Sequence, residues 1–129
     1  MIAVEELQQK LNSIHMYIDA GRKAEEFQTE MVTRLVKLGF QASPRAEGFA
    51  FFPGREEGWK RLPNIRLTRV ESTITMRVHA SDTLTAPNAG AVNSTPADVY
   101  QRILNGIVEA EKLYNEYGKK ATYVSVTKP

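Results

Sequence analysis

Residues 64–81, NIRLTRVESTITMRVHAS, constrain the fold more than any other stretch of the chain. Apolar and polar residues alternate along it, as in a strand with one buried face. The alternation changes parity, however. Ile65 and Leu67 are odd, whereas Val70, Ile74, Met76 and Val78 are even. A regular strand sends alternate side chains to opposite faces, so it cannot bury both sets together. A bulge or bend around Thr68–Arg69 reconciles them. The other solution is a hairpin near Val70-Glu71-Ser72, but no Gly, Asn or Pro supports a turn there. We therefore read one long bent strand. After the bend its polar face carries Glu71, Thr73, Thr75, Arg77 and His79.

Upstream, residues 2–38 read as helix. Val4, Leu7, Leu11, Ile14 and Ile18 recur at spacings of three and four, a heptad-like seam. Gly21 interrupts the pattern, and Ala24, Phe27, Met31, Leu35 and Leu38 resume it in a shifted phase. Gly39 sits where a left-handed cap residue belongs, with Phe40 placed to fold back on Leu35. Unbroken, such a helix is about 55 Å long. A compact chain of this length has a radius of gyration of roughly 14 Å. The helix is therefore expected to bend near Ala20-Gly21 and to pack its first half on another subunit of a homo-oligomer.

Residues 41–63 read as irregular, with a strand at 48–52 ended by Pro53-Gly54 and a second short strand at 59–62. Residues 82–94 form a loop of small residues, whose exposed backbone N–H groups let a ligand approach closely. Thr95, Pro96 and Asp98 mark a helix start: an N-cap, a first-turn proline and an acidic capping partner. That helix is expected to run to Tyr117, with Gly118 beyond its end and Gly106 marking the close approach of another helix. Residues 123–126 close the chain as a short strand. The fold class is α+β in a single domain over 1–129: a long N-terminal helix, a small antiparallel sheet with one long bent strand, a long C-terminal helix and a short final strand.

Composition narrows the chemistry. There is no cysteine among the 129 residues, which removes disulfides, thiol catalysis and cysteine zinc sites. The only histidines, His15 and His79, belong to no spaced ligand set, so neither a metal nor a cofactor is expected. His79, Ser81 and Asp82 are close in sequence, but catalytic triads are assembled from separated segments. Glu56 and Glu57 have no evident partner for acid–base work. Phosphate-loop and dinucleotide fingerprints are absent. The start has no basic region followed by an apolar run, and no stretch approaches the roughly 20 apolar residues that span a bilayer. A cytoplasmic protein without membrane contact is expected.

The net charge of +2 implies no nucleic acid by itself, but basic residues concentrate between Arg45 and His79. Arginine offers forked donors that match phosphate. A helix N-terminus favours anions through free N–H groups and its dipole. Arg77 and His79 share a parity, and the following loop can return its asparagines over their face. Asn side chains both donate to phosphate or ribose oxygens and accept from a base amino group. Arg69, Arg77, His79, Asn88 and Asn93 are accordingly expected to border one anion-accepting pocket.

The helix at 2–38, the arginine-bearing strand at 64–80, the loop Ala86-Pro-Asn-Ala-Gly-Ala-Val-Asn93 and the helix opened by Thr95-Pro96 together resemble, in architecture, the phage anti-Thoeris sponge proteins. That resemblance covers most of the chain and transfers no individual site residue. It implies a non-enzymatic homo-oligomer in the host cytoplasm that sequesters a cyclic ADP-ribose isomer or a cyclic oligonucleotide. The alternatives are a nucleic-acid-binding accessory protein and an assembly or adaptor protein without ligand.

Overall fold

The computed structural model describes residues 11, 13–54, 63–79, 96–117 and 121–125. Its elements are β1 (His15–Asp19), a 3-10 turn (Gly21–Lys23), α1 (Ala24–Lys37), β2 (Gln41–Arg45), β3 (Gly48–Phe52), β4 (Asn64–Val70), β5 (Thr73–His79), α2 (Pro96–Tyr117) and β6 (Ala121–Ser125). Five strands form an antiparallel sheet in the order β2-β3-β4-β5-β1, and β6 extends it beside β1. The fold is α+β.

Residues 64–79 are a hairpin, not a bent strand. Val70 pairs with Thr73 across the two-residue loop Glu71–Ser72. That register sets each odd residue of β4 opposite an even residue of β5: Ile65 faces Val78 and Leu67 faces Met76. The change of parity is thus the signature of the turn. Glu71 adopts a left-handed conformation, φ 54°, usually left to Gly or Asn. This substitution of Glu for the usual turn residues is why composition concealed the hairpin. Val70 consequently leaves the core set and is 53% exposed.

The long N-terminal helix is also corrected. Strand β1 occupies the second half of the supposed seam. Ile14, Met16 and Ile18 are all buried and recur with period two, while Tyr17 between them is exposed. Spacings of four suit a strand face as well as a helix face, so the omitted Met16 was the deciding residue. Asp19 accepts a hydrogen bond from the Gly21 N–H at 3.0 Å, and Gly21 has φ 55°, so the chain turns out of β1 there. Leu11, Ile14 and Ile18 lie in this chain's own core and not against a second subunit. Val4 and Leu7 lie outside the described residues.

Helix α1 ends as expected. Phe40 N–H donates to Leu35 C=O at 3.1 Å and Gly39 N–H to Val36 C=O at 3.0 Å, with Gly39 at φ 100°. These are the two bonds of a Schellman motif, and Phe40 and Leu35 are both buried. Pro96 opens α2 and Tyr117 ends it; Thr95 and Gly118 lie outside the described residues. Gly106 marks a close approach to β4 and to the residue that closes the end of α1. A Cβ there would come within 2.7 Å of Ile65 Cδ1 and Phe40 Cζ. The last strand begins two residues before the expected position. The strand expected at 59–62 lies outside the described residues.

Both helices cover one face of the sheet. Phe27, Met31 and Leu35 of α1 and Ile103, Ile107, Ala110, Leu113 and Tyr114 of α2 share a core with Met16, Ile18, Phe51, Ile65, Leu67, Ile74, Met76 and Val78. Phe27 packs edge-to-face on Tyr114, with centroids 5.0 Å apart. The Tyr114 hydroxyl donates toward Met16 C=O and Ile74 C=O, each at 3.4 Å, joining α2 to the adjacent strands β1 and β5. Among the described residues, no helix is long and apolar enough to cross a membrane.

Candidate anion-binding face

No described helix covers the other face of the sheet. Alternation along each strand decides what stands on it. Asn64, Arg66 and Thr68 come from β4, and Thr75, Arg77 and His79 from β5. His15 and Tyr17 come from β1, Ala50 and Gly48 from β3, and Ser43 and Arg45 from β2. One rung of the sheet reads Ser43, Ala50, Arg66, Arg77, His15. Arg66 and Arg77 are direct cross-strand partners, which sets their Cβ atoms about 4.5–5.5 Å apart.

The adjacent rung braces this pair. Asn64 stands opposite His79. Arg66 Nε donates to Asn64 Oδ1 at 2.9 Å, and Asn64 is only 3% exposed. Arg77 Nη1 lies 3.3 Å from His79 Nδ1. A guanidinium only donates, so this contact requires the lone pair on Nδ1 and a His79 without a proton there. Arg45 Nη1 donates to Ser43 Oγ at 2.9 Å, and its guanidinium carbon sits 5.9 Å from the Phe52 ring centre. Among the described residues, Arg66 and Arg77 each make one such bond and Arg45 makes two, the second to Pro44 C=O at 3.3 Å, fewer than the five donors of a guanidinium.

Among the described residues, no carboxylate forms an ion pair with Arg45, Arg66 or Arg77. The ion pairs among the described residues join Arg34 or Lys112 to carboxylates on the helical side. Glu47 shares a concavity of about 400 Å³ with Arg45, Gly48, Arg66, Thr68 and Arg77, yet it forms no ion pair with these arginines. Burial, then the Arg77 and Arg45 charges, lowers the Arg66 guanidinium from its ordinary value. Arginine nevertheless stays protonated in proteins. Gly48 borders the concavity and lets β3 approach β4 closely there, since a Cβ would lie 1.9 Å from Leu67 C=O.

The structure brings two of the expected residues together, Arg77 and His79. Arg69 stands on the opposite face, paired with Ile74 of the core, and its Nε donates to Glu71 C=O at 3.3 Å. The hairpin explains this: with no bend in the strand, Arg69 keeps the parity of Leu67. Asn88 and Asn93 lie outside the described residues. The sequence reading counts Arg66 among the arginines on the strand, but the pocket it expects leaves out Arg45, Arg66, Asn64 and His15. Taking the parity change as a turn would have found Arg66 directly, opposite Arg77.

Compared with protein-family models, curated proteins and solved structures, the chain matches none.

Proposed function

We propose that this protein is a non-enzymatic binder of a phosphorylated, nucleotide-derived small molecule, held on the sheet face turned away from the two described helices. The observation that supports this reading is the rung of Arg66 and Arg77, with Arg45 nearby, none of them ion-paired among the described residues. Like charges directly opposite destabilise a sheet, and a phosphate between them removes that cost. Charge-assisted hydrogen bonds from planar guanidiniums supply both affinity and orientation. Sequestration of a cyclic ADP-ribose isomer or a cyclic oligonucleotide is the specific form we put forward. Calorimetry against these ligands tests it. Arg66→Ala and Arg77→Ala should each weaken binding roughly tenfold to a hundredfold. No heat from folded wild type with any of them discards these ligands.

A second reading is a single-stranded nucleic acid in place of a small ligand. Tyr17 favours it, because this tyrosine is 39% exposed on the same face as the arginines and aromatic rings stack on bases. Salt separates the two. Affinity for a polyphosphate chain falls steeply with ionic strength, whereas a small ligand held by a few bonds loses less.

A further inference from the structure

Glu47 brings a second kind of chemistry to the arginine concavity, and the step rests on the anion-binding reading above. Arg45 pairs with Gly48, so Ala46 and Glu47 form the tight turn between β2 and β3. The Arg69 N–H donates to Glu47 C=O at 2.7 Å, which fastens this turn to β4. Glu47 thereby borders the concavity of about 400 Å³ that Arg45, Arg66, Thr68 and Arg77 also line. Arg45 is not remote from the other two arginines. Its guanidinium lies over the Phe52 ring of the intervening strand β3, and its charge acts on Arg66. Among the described residues lining this space, Glu47 is the only acid. It is exposed and forms an ion pair with none of the three arginines. Guanidiniums only donate hydrogen bonds, and an ionised carboxylate only accepts them. A bare anion held by the arginines is therefore repelled by Glu47. A ligand that suits both carries acceptors for the arginines and, beside them, donors for the carboxylate. Three positive charges against one negative leave a net of two, which matches a doubly charged phosphate or diphosphate group. The hydroxyls of a ribose supply the donors, as they do to the acidic residue of dinucleotide sites.

We infer that Glu47 is a specificity residue of this site: it accepts hydrogen bonds from the sugar hydroxyls of a ribonucleotide whose phosphate is held by Arg45, Arg66 and Arg77, and so selects such ligands over phosphates without hydroxyls. Titration calorimetry with AMP and 2′,3′-dideoxy-AMP, which share base and phosphate, tests this on wild type and Glu47→Ala. The substitution keeps the backbone bond to Arg69 and alters an exposed side chain, so the fold should be retained. Wild type should prefer AMP roughly tenfold to a hundredfold, the scale of a hydrogen bond to a charged group. Glu47→Ala should change the two affinities in opposite directions. AMP should weaken as its acceptor is lost, and the dideoxy analogue should tighten, by up to about fivefold, as a repelling charge is removed. Equal affinities in wild type overturn hydroxyl recognition while leaving phosphate binding in place. A preference that survives in Glu47→Ala overturns the role of Glu47, and both ligands tightening together shows that this residue only repels. Folded wild type that binds neither nucleotide removes both this inference and the anion-binding reading.

Discussion

Arg66 and Arg77 face one another across a single antiparallel pair, and removing one charge relieves the other. Arg77→Gln should therefore raise the stability of the ligand-free protein, by roughly 0.2–1 kcal/mol on the scale of cross-strand pairs. The same variant should lose stabilisation by added phosphate. Denaturant midpoints with and without phosphate measure both; an unchanged phosphate response would show that Arg77 meets no anion. Tyr100 offers a test on the core side. It is buried, and its hydroxyl has no hydrogen-bond partner among the described residues. Burial raises its pKa above the ordinary 10.0. A raised folded-state value means that the native state holds the proton more tightly than the unfolded chain. The resulting stability is complete below about pH 10 and declines as pH rises through the folded value. Tyr117 shifts the same way, through burial first and then Glu26 and Glu30. Tyr100→Phe should be neutral or stabilising at pH 7 and should reduce the alkaline loss without abolishing it. Unfolding midpoints between pH 8 and 11 provide the check.

At the scale of elements, β1 changes what the N-terminal apolar residues are for. Leu11 is 1% exposed within this chain's own core. Leu11→Ala should lower stability by about 2–5 kcal/mol through a cavity, and its unfolding midpoint should not depend on protein concentration. A stable Leu11→Ala variant with altered subunit stoichiometry in light scattering would return that residue to an interface. Several elements were legible because local chemistry decides them. Strand β3 lies where its aromatic alternation and the following Pro53-Gly54 put it. The end of α1 follows from Gly39 and Phe40, and the limits of α2 from Pro96 and the apolar stripe to Tyr117. The β4–β5 turn and β1 were not legible, since neither rests on a local preference. Glu71 takes a left-handed φ because seven paired residues on each strand enforce it. The apolar spacing from Leu11 to Ile18 fits two periodicities, and the pairing of β1 with β5 chooses between them.

Over the whole molecule, core and candidate site are written on alternate residues of one hairpin. Met76 and Val78 face the helices, and Arg77 and His79 face away. This placement explains why half of the site was legible. Parity grouped Arg77 with His79, but only the hairpin register could add Arg66 and exclude Arg69. Among the described residues, Glu30, Glu109 and Glu116 surround Arg34 on the helical side, whereas Glu47 borders the arginine concavity without an ion pair. The site is thus local in its spacing, because two of its arginines belong to strands joined by a two-residue loop.

The position of β1 has a bearing on the order of folding. Its partners on β5 lie about sixty residues further along the chain, and those on β6 further still. The β4–β5 hairpin closes a short loop and can form on the microsecond scale. Strand β1 must wait for long-range closure, which slows folding. Until it docks, β5 presents an unpaired edge, the kind of surface that recruits strands from other molecules. The interval before β1 arrives is therefore when self-association competes with folding. It also ends when His15 takes its place beside Arg77, so the rung is completed in the same event that closes the sheet.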